Sequence, residues 1–98
     1  MKNTVKNKKV IDMLFTEGKR VTTKNLMLRS ISGIDSYMVT VSSKVFKRAV
    51  DRNRIKRLLR EVIRNNKING TFVLIYIGKE IPKLDILIKE FIEIKSKL

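Results

Sequence analysis

Apolar residues recur along this chain with two different periods, and the switches between them mark out its elements. Ile55, Leu58, Leu59, Val62 and Ile63 fall at i, i+3, i+4, i+7 and i+8, which at 100° per residue places them on one arc of a helix. Residues 4 to 17 carry Val10, Ile11, Leu14 and Phe15 on a similar stripe and predict a short amphipathic helix, with Gly18 as its C-cap. Pro82 is expected to open a last helix, in which Leu84, Leu87, Ile88, Phe91 and Ile92 share a face that covers a sheet. Elsewhere the period is two. Lys19 to Ser32 reads as one strand or a broken hairpin arm, strongest over Asn25 to Ile31, where Leu26, Leu28 and Ser30 alternate with Met27, Arg29 and Ile31. After the turn residues Gly33-Ile34-Asp35-Ser36, a second strand over Tyr37 to Ser43 sets Tyr37, Val39 and Val41 against Met38, Thr40 and Ser42. Asn65 to Gly70 reads as a loop, and Thr71 to Ile77 is too continuously apolar for an edge, so it belongs inside the sheet.

The order of helix, strands, helix, strand, helix predicts helices layered on a small sheet, although pattern alone leaves the strand order open. With 98 residues, no internal repeat and a single proline, the chain is expected to form one domain over residues 1–98. No apolar run approaches the roughly 18 residues of a membrane span. The basic start MKNTVKNKK is followed by an apolar stretch broken by Asp12 and Glu17, which does not read as a signal peptide, so the cytoplasm is the expected location.

Charge changes the picture most. Lysine and arginine outnumber aspartate and glutamate 23 to 9, giving +14, and a large share of that excess lies in residues 44 to 67, KVFKRAVDRNRIKRLLREVIRNNK. This segment reads as a helix whose polar face is nearly all cationic: Lys44, Lys47, Arg48, Arg52, Arg54, Lys56, Arg57, Arg60, Arg64 and Lys67 against Asp51 and Glu61. An ordinary charged face mixes signs and is merely solvated. Here like charges stand at i and i+4 along Lys56, Arg60 and Arg64, which destabilises an isolated helix and points to a polyanionic partner. Arg52 is the exception in direction, because its angle falls between Leu59 and Ile63 beside the apolar arc. A guanidinium there is costly unless it is paired or reaches a wet cleft.

Ala49, Arg52-Asn53-Arg54-Ile55-Lys56-Arg57-Leu58-Leu59-Arg60 and Glu61 resemble the RNR-motif helix of the bacterial ribonuclease P protein subunit, and Thr40-Val41-Ser42-Ser43-Lys44 resembles the strand that leads into it. The order of cations around one alanine and one asparagine makes the match specific over about residues 40 to 64. Ile11, Leu14, Phe15 and Gly18 resemble the first helix of that family, and Thr71 to Lys79 its late strand. The expected fold is therefore α+β, a small, mostly antiparallel sheet of about four strands packed with three helices in α-β-β-β-α-β-α order. The resemblance further implies a left-handed crossover around the basic helix, against the usual right-handed rule.

The same resemblance implies a function. In that family the RNA subunit and its divalent metals cleave precursor tRNA, while the small protein binds the catalytic RNA and the 5′ leader of the substrate. The implied RNA-contacting set is Arg52, Asn53, Arg54, Lys56, Arg57 and Arg60, with Lys44, Lys47 and Arg48 at the helix entry. A leader cleft maps to Ile11, Phe15 and Arg29. The family often has aromatic residues at the positions of Ile11 and Arg29, so base stacking here falls to Phe15, which otherwise reads as a core residue. Ser43 stands where one branch carries a second lysine, and Lys47 where another has glycine.

The residues themselves offer no catalyst. Cysteine and histidine are absent, which excludes disulfides, thiolate chemistry and zinc fingers and removes the commonest general base. The carboxylates form no acid/base or metal motif, and Asp51 and Glu61 read as helix-supporting residues. No glycine-rich phosphate loop is present. Magnesium is expected for the reaction of the RNA, with no cofactor bound by this chain. The partners expected are the catalytic RNA and precursor tRNA, with no membrane and no DNA. A basic ribosomal or other structured-RNA-binding protein is the alternative. A DNA-binding helix-turn-helix is disfavoured, since the chain ahead of the basic helix reads as strand.

Overall fold

Alternation along the strands resolves into a twisted-sheet core whose two faces are covered unequally. The structure, a computed structural model, describes residues 3–4, 8–33, 35–66, 68 and 70–98. In chain order the elements are β1 (Asn3–Thr4), α1 (Lys8–Thr16), β2 (Lys19–Thr22), β3 (Leu26–Ile31), β4 (Ser36–Val41), α2 (Ala49–Asn65), β5 (Thr71–Tyr76) and α3 (Leu84–Ser96). The strands lie side by side as β1-β4-β5-β3-β2. Among the four longer strands, β2–β3 and β3–β5 are antiparallel, and β4–β5, the pair joined through α2, is parallel. The α+β expectation of four strands and three helices holds, with one short strand added.

Register sorts the side chains. Val21, Leu28, Leu74 and Val39 form one row across four strands, flanked by the row Leu26, Tyr76 and Val41. These residues share a core with Ile55, Leu59, Val62 and Ile63 of α2 and Leu87, Phe91 and Ile94 of α3. The opposite face carries the rows Arg20, Arg29, Val73, Met38 and Thr22, Met27, Ile75, Thr40. There α1 buries Leu14, and only part of the face is covered. As expected for an interior strand, β5 is buried almost throughout. The Phe72 ring stacks near Tyr37 at 6.0 Å between centroids.

Several boundaries differ from the sequence reading, each for a local reason. The first helix, expected from residue 4, begins at Lys8, and Asn3–Thr4 pairs in parallel with Ser36 and Tyr37. A two-residue strand has no alternation by which it could be read. Residues 5–7 and the side chain of Val10 lie outside the described residues, as do residue 34 of the turn and residues 67 and 69 of the loop. The segment from Lys19 to Ser32 breaks at Thr23–Asn25, so of its two readings the hairpin is the one found. The last helix starts at Leu84 with Lys83 as N-cap, two residues past Pro82. Its apolar stripe runs Leu87, Phe91, Ile94, and Ile92, expected on it, is 51% exposed. Ile92 sits about 100° around the helix from Phe91, too far to meet the sheet.

Two glycines are fixed by the backbone. A Cβ on Gly18 would run into the Leu14 carbonyl, which explains why α1 is closed by a glycine. Gly70, just before β5, has φ 89°, and a Cβ there would lie 2.9 Å from the Ile31 carbonyl oxygen. Its N–H donates to Asp35 Oδ1 at 2.8 Å, and its carbonyl accepts from the Ser36 N–H at 3.2 Å.

The hairpin turn is tied to α3 by one carboxylate. Glu90 accepts from the Thr23 hydroxyl at 2.5 Å, the Asn25 backbone N–H at 2.8 Å and the Asn25 side-chain amide at 2.8 Å. Burial pushes the Glu90 carboxyl up, but these hydrogen bonds, with Lys24 nearby, outweigh it and hold the group below its ordinary range. A carboxylate with a lowered folded-state pKa stabilises the fold above its ordinary value, and that contribution is lost as pH falls through the folded value. Glu90→Gln is therefore expected to cost about 1–3 kcal/mol in denaturant unfolding at neutral pH. The gap between variant and wild type should close below the ordinary carboxylate range, and a gap independent of pH would refute this account.

Candidate nucleic-acid interface

The cationic face of α2 is built by the same periodicity that builds its apolar face. With Ile55, Leu59, Val62 and Ile63 buried under the sheet, Asn53, Arg54, Arg57, Arg60 and Arg64 are exposed and Lys56 is half-buried. Asn53, Arg57, Arg60 and Arg64 follow i, i+4, i+7 and i+11, a stripe about 16 Å long. Within α2 the one ion pair joins Glu61 to Arg64 at 3.6 Å, so Glu61 serves Arg64 and not the Arg57 one turn before it. Both groups are exposed, and such a pair contributes little. Asp51 lies in the first turn, where a carboxylate suits the helix dipole. The remaining charge on this face is positive and turned to solvent.

The basic segment is not helical from its beginning. Residues 42–48 form an irregular approach, and α2 starts at Ala49 after Arg48, an N-cap in extended conformation (φ −83°, ψ 129°) that makes no side-chain capping bond. The cause is Phe46, which is buried at 8% exposure and packs on the Tyr76 ring at 6.0 Å. Its side chain enters the core at a point a helix continued backwards would not reach. Lys44, Lys47 and Arg48 are exposed around it. Arg52, whose position beside the apolar arc demanded a partner, has two: its Nη1 donates to the carbonyls of Phe46 at 2.8 Å and Lys47 at 2.9 Å.

On the other sheet face, α1 and β3 bring two of the three expected cleft residues together. The Arg29 guanidinium lies 5.4 Å from the centre of the Phe15 ring and donates through Nη1 to the Phe15 carbonyl at 3.0 Å. Arg29 Nε is buried with no hydrogen-bond partner. Phe15 is 41% exposed, so it is not a core side chain, and its ring is presented beside the guanidinium. Ile11 is half-buried one helical turn earlier on α1. A single helix about 10 Å wide covers roughly two strands spaced near 4.8 Å. α1 lies against β3, so Met27, Met38, Thr40 and Ile75 remain half-exposed on the part of this face beside it. These four were not singled out from sequence. The signal was present in the less apolar face of β4, but which face lacked a helix was not.

Among the described residues no cluster of three or more histidine, cysteine, aspartate or glutamate side chains is arranged to hold a metal ion. No described helix is long and apolar enough to cross a membrane. The arrangement presents solvent-facing cations on one side of a sheet and a partly apolar, half-exposed surface with one ring and one guanidinium on the other.

The Ribonuclease P family matches residues 1–91 of the 98. The chain belongs to that family. It is the protein subunit of ribonuclease P, a ribonucleoprotein endoribonuclease of tRNA 5′ processing in which the RNA is the catalyst. The ribonuclease P protein from Thermotoga maritima superposes with a TM-score of 0.82 at 21% identity, covering 99% of this chain and 98% of that one. A structure of the Staphylococcus aureus ribonuclease P protein gives 0.78 at 18% identity, covering 98% and 94%. The Thermotoga maritima protein in complex with 1-(4-fluorophenyl)-2-thiourea gives 0.79 at 21%, covering 96% and 98%. At such identities the structures establish the shared fold, and the family match establishes membership. No curated protein matches the chain by sequence.

Proposed function

We propose that the exposed face of α2, with the approach 42–48, binds phosphates of the ribonuclease P RNA, and that the groove between α1 and the sheet takes the single-stranded 5′ leader of precursor tRNA. The observation that carries the first half is the excess of solvent-facing cations on α2, of which one, Arg64, has a carboxylate partner. Arg54, Lys56, Arg57 and Arg60 supply phosphate contacts, Asn53 adds a directional hydrogen bond, and Lys44, Lys47 and Arg48 extend the patch beyond the helix. Two polyanions held together repel, and cations between them release counterions and screen that repulsion.

The groove supports the second half. A flexible single strand offers unstacked bases to the Phe15 ring and a phosphate or base plane to Arg29, over a floor of Met27, Met38 and Ile75. Because α1 and α2 lie against opposite faces of one sheet, catalytic RNA and substrate leader are held by different surfaces of a rigid body. Residues 1–98 act as one RNA-binding domain, in the cytoplasm. The magnesium of the reaction is assigned to the RNA.

The salt dependence of binding tests the phosphate contacts. Seven contacts from Arg54, Lys56, Arg57, Arg60, Lys44, Lys47 and Arg48 predict that log K for the catalytic RNA falls against log[salt] with a slope of about −5 to −6. Arg57→Gln should flatten it by roughly 0.7–0.9. A wild-type slope near zero refutes the interface.

Phe15→Ala is expected to weaken binding of leader-bearing precursor tRNA by about 1–3 kcal/mol and to leave mature tRNA unchanged. Since Phe15 is exposed, its melting temperature should move far less than a core Phe→Ala change, which costs about 3–5 kcal/mol. Equal loss for both RNAs would remove the leader from the groove.

The protein alone should cleave nothing. With neither histidine nor cysteine and, among the described residues, no group of three or more carboxylates arranged to hold a metal ion, it lacks the usual base near neutral pH and a ready site for a metal pair. In the presence of catalytic RNA it should lower the magnesium needed for accurate 5′ cleavage. Accurate cleavage by nuclease-free protein without RNA, abolished by Asp51→Asn or Glu61→Gln, would overturn the assignment of catalysis to the RNA.

A further inference from the structure

Arg52 differs from every other cation of the basic face in where its charge goes. It is half-buried, and its Nη1 is shared between two backbone carbonyls, those of Phe46 and Lys47, five and six residues back along the chain. Its own N–H donates to the Arg48 carbonyl at 3.2 Å, so backbone and side chain of one residue both grip the approach. At the far end, Ser42 accepts the Phe46 N–H at 3.0 Å through its carbonyl and the Lys44 N–H at 3.2 Å through its hydroxyl. Between these two anchors, Phe46 is sunk into the core against Tyr76.

This construction has a specific consequence for charge. Lys44, Lys47 and Arg48 stand within five residues next to the positive end of the α2 dipole, where cations are disfavoured. The N-cap offers no side-chain bond to hold the turn. Carbonyl oxygens are the acceptors available there, and Arg52 uses two of them in charge-assisted bonds. A phosphate that took Nη1 would have to displace both.

We infer that Arg52 is a positioning residue: it locks the turn at residues 46–47 before RNA arrives and so presents Lys44, Lys47 and Arg48 as a fixed cluster at the start of α2. The inference rests on the reading of α2 and its approach as the RNA interface. Fixing the cluster in advance removes the ordering cost from the binding step, which is where preorganisation gains affinity. Arg54, Arg57 and Arg60 remain the direct phosphate contacts.

The free protein provides the first test. In wild type without RNA, NMR should show the Arg52 Nη1 protons protected from exchange and shifted little when catalytic RNA is added. An Arg52 side chain that exchanges freely until RNA is added overturns the proposal, even if no variant at 52 folds. Arg52→Gln should speed hydrogen exchange of the amides at 44–48 by about tenfold or more, while Arg54→Gln leaves them at the wild-type rate.

A double-mutant cycle on RNA affinity then separates positioning from contact. In a Lys44→Gln, Lys47→Gln, Arg48→Gln background, the loss of affinity caused by Arg52→Gln should largely vanish, whereas the loss caused by Arg54→Gln should persist. Equal Arg52→Gln losses in both backgrounds, with unchanged loop exchange, make Arg52 a phosphate contact and refute the inference. If loop exchange responds to Arg52→Gln but RNA affinity ignores every one of these variants, the lock stands and the assignment of this face to RNA falls.

Discussion

The structure depends on one strand that cannot be left exposed. Thr71–Tyr76 is buried along almost its whole length, with Phe72, Val73 and Leu74 fully inaccessible. A strand apolar on both faces needs a neighbour on each edge and cover on each side. β3 and β4 occupy the edges, α2 and α3 cover one face, and α1 covers part of the other. The parallel pairing of β4 with β5 forces the intervening chain to return from one end of the sheet to the other. The element that makes this return is α2, and its outward side is where the charge is carried.

That geometry explains why a helix with so much like charge is tolerated. Repulsion along Lys56, Arg60 and Arg64 disfavours the isolated helix, but Ile55, Leu59, Val62 and Ile63 anchor it to the sheet, and burial of such side chains stabilises by about 1.5–3 kcal/mol each. The apolar arc thus supports a solvent-facing surface of dense positive charge. At the start of the helix, where the arc has not yet begun, support comes from Phe46 in the core and from the carbonyl bonds of Arg52.

The groove obeys the complementary rule. One nine-residue helix cannot cover a face four strands wide, so Met27, Met38, Thr40 and Ile75 stay accessible beside Phe15 and Arg29. Arg29 bridges sheet and helix through the Phe15 carbonyl and lies over its ring. The result is a mixed surface of ring and guanidinium beside half-exposed apolar side chains.

Sequence by itself determined the elements with a period to read and the chemistry they carry. The arc of α2, the alternation in β3 and β4, the interior position of β5 and the cationic stripe all follow from spacing, because burial on one side imposes that spacing on the chain. The order of residues from Ala49 to Glu61 was sufficient to suggest the family. Tertiary structure decided what has no local signature. Asn3–Thr4 became a strand because β4 offered a free edge. Ile94 replaced Ile92 in the core because of how α3 lies on the sheet. Phe15 became a surface ring because α1 spans too little of its face. Arg52, a cation among cations in sequence, was given a distinct role by two carbonyls, since a hydrogen-bond partner is fixed by where the backbone turns and not by the side chain that seeks it.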